Sequence, residues 1–240
     1  MSRARARVLI LGVGGLGCPA ALALARTGIE VLGICDGDVV EATNLHRQIL
    51  FGDGDVGAPK VDAAVRELRR RAPDVNVRAH PTRLLPANAM EIVRQYDVVV
   101  EGSDNFATKF LAADACMFAG VAIVHASAVR WIGTVLGVGA RGRPCYRCLF
   151  EDLPTDDAPN CAEAGVMGPV LGVVAAAQVD WTLSWLDGDA IFGQLVTFDG
   201  RTDVLRRRTI EPRIDCALCG AAPRIRRIEP SAYDPRPCVG

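Results

Sequence analysis

The sequence predicts an α/β protein built on a mostly parallel sheet with helices on both faces, and three observations predict it. Short apolar runs alternate with helical segments over the first half of the chain, the first run ends in the glycine-rich turn "GVGGLG", and after Ala128 the alternation gives way to strand-like runs. Residues 8–11 read as a buried strand and 16–25 as the helix that follows the turn. "IEVLGIC" (29–35) is a second apolar strand, "KVDAAVRELRRR" (60–71) a helix with its apolar residues on one face, and "VNVRAH" (75–80) a short strand. "ANAMEIVRQY" (87–96) reads as a helix, "DVVVEG" (97–102) as a strand, "NFATKFLAADACMFAG" (105–120) as a helix and "VAIVHAS" (121–127) as a strand.

Beyond Ala128, "WIGTVLGVG" (131–139), "IFGQLVTFD" (191–199) and "DVLRRRTI" (203–210) read as later strands that pair antiparallel. A Pro- and Asp-rich loop, "EDLPTDDAPNCAEAG", interrupts them, at about 151–167. The stretch "VMGPVLGVVAAAQVDWTLSWL" (166–186) approaches membrane-spanning length, but Gln178 and Asp180 near its centre and the lack of basic flanks make it a helix of the core or of a subunit interface. A homodimer is the expected assembly.

With 240 residues, half of them hydrophobic, the chain can bury a full core, and a single domain over 1–228 is expected, with 229–240 as a flexible tail. A formal charge of −1 supplies no basic field for nucleic acid, and Arg206, Arg207 and Arg208 read as a solvated strand edge. "MSRARAR" runs straight into the first strand without a secretory pattern, so a cytoplasmic, membrane-free protein is expected.

The spacing G-x-G-x-x-G at Gly12, Gly14 and Gly17, with Gly15 inside it, makes the start Rossmann-like: a tight turn brings the helix N-terminus to face phosphate. Asp36 follows Gly17 by about 20 residues, where an acid binds ribose hydroxyls in dinucleotide enzymes. The turn alone leaves NAD and ATP open. In "DGDVVEATNLHRQILF…GAPK", however, Asp36 is followed by Asp38 and then by Asn44, Arg47, Gln48 and Lys60, the last four suited to phosphate. Asp104 in "EGSDN", after the fourth predicted strand, is placed to hold magnesium against phosphates, or else to cap the helix starting near Asn105. Together these residues describe an ATP site. His46, His80 and His125 are read as structural or surface groups.

Cys145-x-x-Cys148 and Cys216-x-x-Cys219 lie roughly 70 residues apart. Each pair can present two thiolates on one side of a tight turn, and two pairs complete a closed, structural zinc site. Cys18, Cys35, Cys116, Cys161 and Cys238 show no ligand spacing.

From "GVGGLG" through "DGD", "NLHRQ", "GAPK", "GSDN", "PCYRC" and "NCAEAGVMGP" to "CALCG", the chain resembles the ThiF/MoeB/HesA family, bacterial relatives of the ubiquitin-activating enzymes. The resemblance implies adenylation, with ATP and Mg2+, of the C-terminal glycine carboxylate of a ubiquitin-like sulfur carrier ending in Gly-Gly, with release of pyrophosphate. A sulfur donor such as a cysteine desulfurase or rhodanese would follow. It also implies that Asp36 binds ribose, that Asn44, Arg47, Gln48 and Lys60 handle the phosphates, that Asp104 holds magnesium with Asn105 beside it, and that Cys161 lies in the mobile crossover loop. Cys161 is either a nucleophile toward activated carrier or part of the loop's architecture. Two departures are expected to matter: Lys109 and Ala113 occupy positions where the family has arginine and asparagine, and the chain starts too late to match an arginine that in the family precedes the first strand and reaches the partner's site. Arg3, Arg5 or Arg7, or else a partner, is expected to supply that cation. A peptide or other carboxylate as substrate, an NAD-dependent oxidoreductase and a non-catalytic binding subunit are the alternatives.

Overall fold

A computed structural model describes residues 3–154, 165–189 and 192–233. The parallel half runs β1 (Arg7–Leu11), α1 (Gly17–Leu24), β2 (Val31–Cys35), α2 (Lys60–Arg71), β3 (Asn76–His80), α3 (Ala89–Val93), β4 (Val98–Glu101), α4 (Phe106–Ala119) and β5 (Ala122–Val129). Then come β6 (Ile132–Val138), the short α5 (Tyr146–Leu149), α6 (Gly168–Asp187), β7 (Gln194–Asp199) and β8 (Val204–Thr209). All eight strands form one sheet in the order β3-β2-β1-β4-β5-β6-β7-β8. β1 to β5 pair parallel and β5 to β8 antiparallel.

The pleat sorts the core. Val8 and Ile10 of β1 face the layer of α1, α2 and α6, whereas Leu9 and Leu11 face α3, α4 and α5, as alternation along a strand requires. Both faces are covered, which is why the central strands are apolar throughout. Chain direction across the sheet reverses between β1 and β4, so their carboxyl ends open the crevice where open α/β sheets bind ligands.

Three expectations differ in detail. The helix expected over 87–96 is confined to Ala89–Val93; at its start Asn88 bends the preceding chain, its Oδ1 accepting from Leu85 N–H at 2.8 Å and its amide donating to Arg83 O at 3.0 Å. α6 buries Val170, Leu171, Val174, Trp181 and Thr182 but leaves Val173 40% exposed, so in the single chain only one of its faces is packed. Tyr233, inside the stretch expected to be a loose tail, is buried and donates to Asp114 Oδ2 at 2.8 Å. The arginines of β8 are exposed on the edge strand, where charge discourages further pairing. Among the described residues no helix is long and apolar enough to cross a membrane.

Candidate nucleotide site and four-cysteine centre

The glycine turn is made by close approach. Gly12 has φ +84°, and a Cβ at Gly17 would lie 1.9 Å from Gly12 O, so only glycine lets the first turn of α1 pack here. Gly15 lies against the stem of Arg47, and Gly14 faces the carboxamide of Gln48. Leu16, the N-cap of α1, offers no side-chain acceptor; in the first turn Cys18 N–H already donates to Gly14 O at 2.9 Å and Pro19 has no N–H, which leaves Gly17 N–H to face an anion.

Asp36 leaves β2 and bridges this turn to its own loop: Oδ2 accepts from Val13 N–H at 2.9 Å and Oδ1 from Asp38 N–H at 2.8 Å. Burial pushes its pKa up, against the pull of Lys60 and of those N–H groups. Asp38 sits between two cations, with Lys60 Nζ donating to Oδ2 at 3.3 Å and Arg83 Nη2 to Oδ1 at 2.8 Å. Partial burial opposes its ionisation, but Arg83 and Lys60 prevail and hold its pKa below the usual carboxylate value. Lys60 opens α2 and is itself buried. Asn44 donates to Glu41 Oε2 at 3.1 Å, and Arg47 Nη1 lies 3.3 Å from His46 Nε2. Gln48 is buried with its Oε1 lacking a hydrogen-bond partner beside the turn.

On the other side of the crevice, Asn105 caps α4 by accepting from Thr108 N–H at 2.8 Å. The cap is therefore Asn105 and not Asp104, which is exposed in the loop after β4. That loop abuts the glycine turn, since a Cβ at Gly12 would meet Ser103 N at 3.2 Å.

Beneath it lies a polar cluster that sequence reasoning missed. Glu101 accepts from Ser103 N–H at 2.7 Å, from the Ser103 hydroxyl, from Lys109 Nζ at 2.8 Å and from His125 Nδ1 at 3.0 Å. Burial works against the charge, but Lys109 and His125 hold the pKa of Glu101 at about 2. Burial lowers that of His125, so this ring is neutral at neutral pH and stacks on Tyr146 with centroids 4.4 Å apart. The available signal was a lone acid closing the apolar run "DVVVEG". The departure at Lys109 thus concerns a buried ammonium, which also donates to Ala126 O at 2.7 Å.

At the opposite face the two cysteine pairs converge. Cys145, Cys148, Cys216 and Cys219 are buried, with all four Sγ atoms within 4.8 Å of one another. Measured separations are 4.0 Å for Cys145–Cys148, 3.6 Å for Cys145–Cys216 and 3.4 Å for Cys148–Cys219. Tetrahedral zinc with Zn–S near 2.3 Å requires S···S of about 3.8 Å, so the donor set fits that metal. Arg213 N–H donates to Cys148 Sγ at 3.4 Å, an outer contact that suits a thiolate. Inside the first knuckle, Arg147 grips Asp114 of α4 through Nε at 3.0 Å and Nη2 at 2.9 Å. Cys18 and Cys35 are buried elsewhere, and desolvation pushes both thiols up to about 12. Cys161 and Cys238 lie outside the described residues, as does 155–164 of the expected crossover loop.

The ThiF family profile matches residues 3–218. A Sus scrofa protein named adenylyltransferase and sulfurtransferase MOCS3 is 42% identical over 230 residues, 94% of this chain and 50% of its own length. Its Anopheles gambiae namesake is 38% identical over 93% of this chain and 52% of its own length. The chain thus spans about half the length of the curated relatives it matches. Among solved structures, E. coli MccB with MccA-N7isoASN superposes with a TM-score of 0.80 at 22% identity, over 91% of this chain and 68% of that one. PaaA gives 0.74 at 22% identity, over 88% and 66%. These likenesses show a common fold. Since the family profile covers residues 3–218 of a 240-residue chain, the chain belongs to the ThiF family.

Proposed function

We propose that this chain adenylates the C-terminal glycine carboxylate of a ubiquitin-like sulfur carrier, using ATP and Mg2+ and releasing pyrophosphate. The observation that carries the reading is the glycine turn with Asp36, Arg47 and the loop before Asp104 against it and Lys60 paired to Asp38 alongside, in a chain 42% identical to a protein named an adenylyltransferase and sulfurtransferase. A carboxylate oxygen attacks the α-phosphorus as its bond to the pyrophosphate oxygen breaks. Negative charge shifts onto phosphoryl oxygens and little proton transfer is needed, so cations and N–H groups do the catalysis. In this reading Asp36 receives the ribose, while Lys60, Arg47, Asn44, Gln48 and the turn take the phosphates. Asp104, exposed and released from capping, has the hard oxygen donor that magnesium prefers alongside phosphates, and Asn105 keeps its loop in place. Magnesium bound there would neutralise charge on the leaving pyrophosphate.

Zinc at the four cysteines would be structural, because a closed set of four thiolates leaves no position for substrate. Such a thiol centre suits a reducing, cytoplasmic setting. Exposed Val173 and Met167 along α6 support a homodimer. Exchange of labelled pyrophosphate into ATP tests the reading: it should depend on a carrier ending in Gly-Gly. Exchange driven equally by an unrelated carboxylate would sink the carrier assignment.

A further inference from the structure

Arg83 stands beside the crevice and belongs to none of the motifs read from the sequence. It lies three residues beyond β3 on a shelf whose backbone is tied down: Arg83 O accepts from the Asn88 amide at 3.0 Å and from the Thr82 hydroxyl at 3.1 Å. The Asp36–Asp38 turn packs directly on it. A Cβ at Gly37 would lie 2.6 Å from Arg83 Cγ and 2.8 Å from Arg83 N, so glycine is required there. Arg83 Nη2 holds one oxygen of Asp38 at 2.8 Å, while Lys60 Nζ reaches the other only at 3.3 Å. Asp36 and Asp104 add to the negative field at the guanidinium. One carboxylate thus serves two cations, and the closer one is Arg83.

We propose that Arg83 is a positioning residue for the nucleotide site: by engaging Asp38, it leaves the Lys60 ammonium incompletely paired and available to the nucleotide phosphates. The physical reason is competition for one hydrogen-bonding carboxylate. Lys60 is buried, with only 8% of its side chain exposed, and the carboxylate it hydrogen-bonds is Asp38, while Asp36 adds to the negative field around it. Were Arg83 absent, Asp38 would pair with Lys60 alone, and a phosphate would have to break that pair. Arg83 is itself 73% exposed, which limits the expected effect.

This inference rests on the ATP reading above, and binding of ATP and AMP to the full chain, by calorimetry, separates the two. Arg83→Ala should weaken ATP by about fivefold, the upper range for a partly exposed ion pair, and AMP much less, because AMP lacks the β- and γ-phosphates that this proposal gives to Lys60. Arg83→Lys should retain most of the ATP affinity. In the Arg83→Ala background, Asp38→Asn should recover ATP affinity, since a neutral amide no longer sequesters Lys60. Equal losses for ATP and AMP would mean that Arg83 merely shapes the Asp36 turn. A double variant no better than Arg83→Ala would point to direct contact with phosphate. Either result overturns the proposal, as does an Arg83→Ala variant that binds ATP as the parent does. A parent chain that binds neither nucleotide overturns the ATP reading itself. Thermal unfolding of each variant confirms that the comparison is between folded proteins.

Discussion

Around the glycine turn the charged groups lie partly in solvent and share partners: Asp38, 45% exposed, serves both Lys60 and Arg83, and Gln48 Oε1 has no partner at all. Around the cysteine knuckles the reverse holds. Arg147 is 4% exposed against a fully buried Asp114, which also accepts from Tyr233, and four thiols converge without solvent. The difference teaches what each region is for. Groups left exposed or incompletely paired retain binding energy for a ligand, whereas groups buried and fully engaged have already spent theirs on the fold.

The largest effect should come from the closed region. Apparent zinc affinity in small zinc-folded peptides is on the order of 10–16 kcal/mol, comparable with the whole stability of a domain, about 5–15 kcal/mol. Cys216→Ser should therefore abolish both bound zinc and a cooperative thermal transition, as read by metal analysis and calorimetry. A metal-free Cys216→Ser chain that melted like its parent but had lost exchange would reverse the contrast between the regions.

Asp104→Ala attacks the open region. Losing a contact to charge that develops in the transition state should slow pyrophosphate exchange by about 10²–10³, with the melting temperature moved by no more than about 2 °C. Arg47→Ala and Lys60→Ala should follow in the same direction. A large drop in melting temperature for Asp104→Ala would show that this loop is structural and the proposed openness mistaken.

Acid should sharpen the comparison from beneath the crevice. His125 has a folded pKa below its ordinary 6.5, so the unfolded chain takes up the proton more readily, and stability falls as the pH drops through 6.5. Glu101, held at about 2 against an ordinary 4.5, contributes stability fully present above 4.5 and lost between 4.5 and 2. Urea midpoints measured from pH 8 downward should show the first decline near 6.5. His125→Phe, which keeps a ring on Tyr146, should shrink that limb to the share of His80, whose pKa burial also lowers, and retain the one below 4.5. A midpoint flat down to pH 5 in the parent chain would contradict the buried neutral imidazole.

The smallest effect is expected at Cys161. Adenylation precedes any use of this thiol, so Cys161→Ser should exchange pyrophosphate nearly as well as its parent. Thiocarboxylate yield with carrier and sulfur donor then decides between nucleophile and loop architecture, a normal yield excluding the covalent role.

Much of the frame was legible from local signals. Apolar runs at strand and helix period located the elements because burial on both faces leaves a pattern within each segment, and the Cys-x-x-Cys spacing announced a converging thiol set because each turn alone presents two sulfurs on one side. Boundaries slipped where side chains overrode periodicity, as at Asn88, which bends the chain at the start of α3. The tail slipped for a related reason: its Pro-rich composition hides one aromatic anchor, Tyr233, whose acceptor is 119 positions away.

By itself the sequence determined the parallel sheet, the glycine turn after β1, the acids and cations that follow it, and the two cysteine pairs, all of which depend on residues close together in the chain. Only the tertiary structure decided which side chain caps the helix and which charges are consumed. Asn105, not Asp104, caps α4; Glu101 is committed to Lys109 and His125; and Asp38 is divided between Lys60 and an arginine 45 positions away. The physical reason is that hydropathy and spacing report whether a side chain is buried or presented, while the partner of a charge is set by which loops the strand order brings to the same end of the sheet.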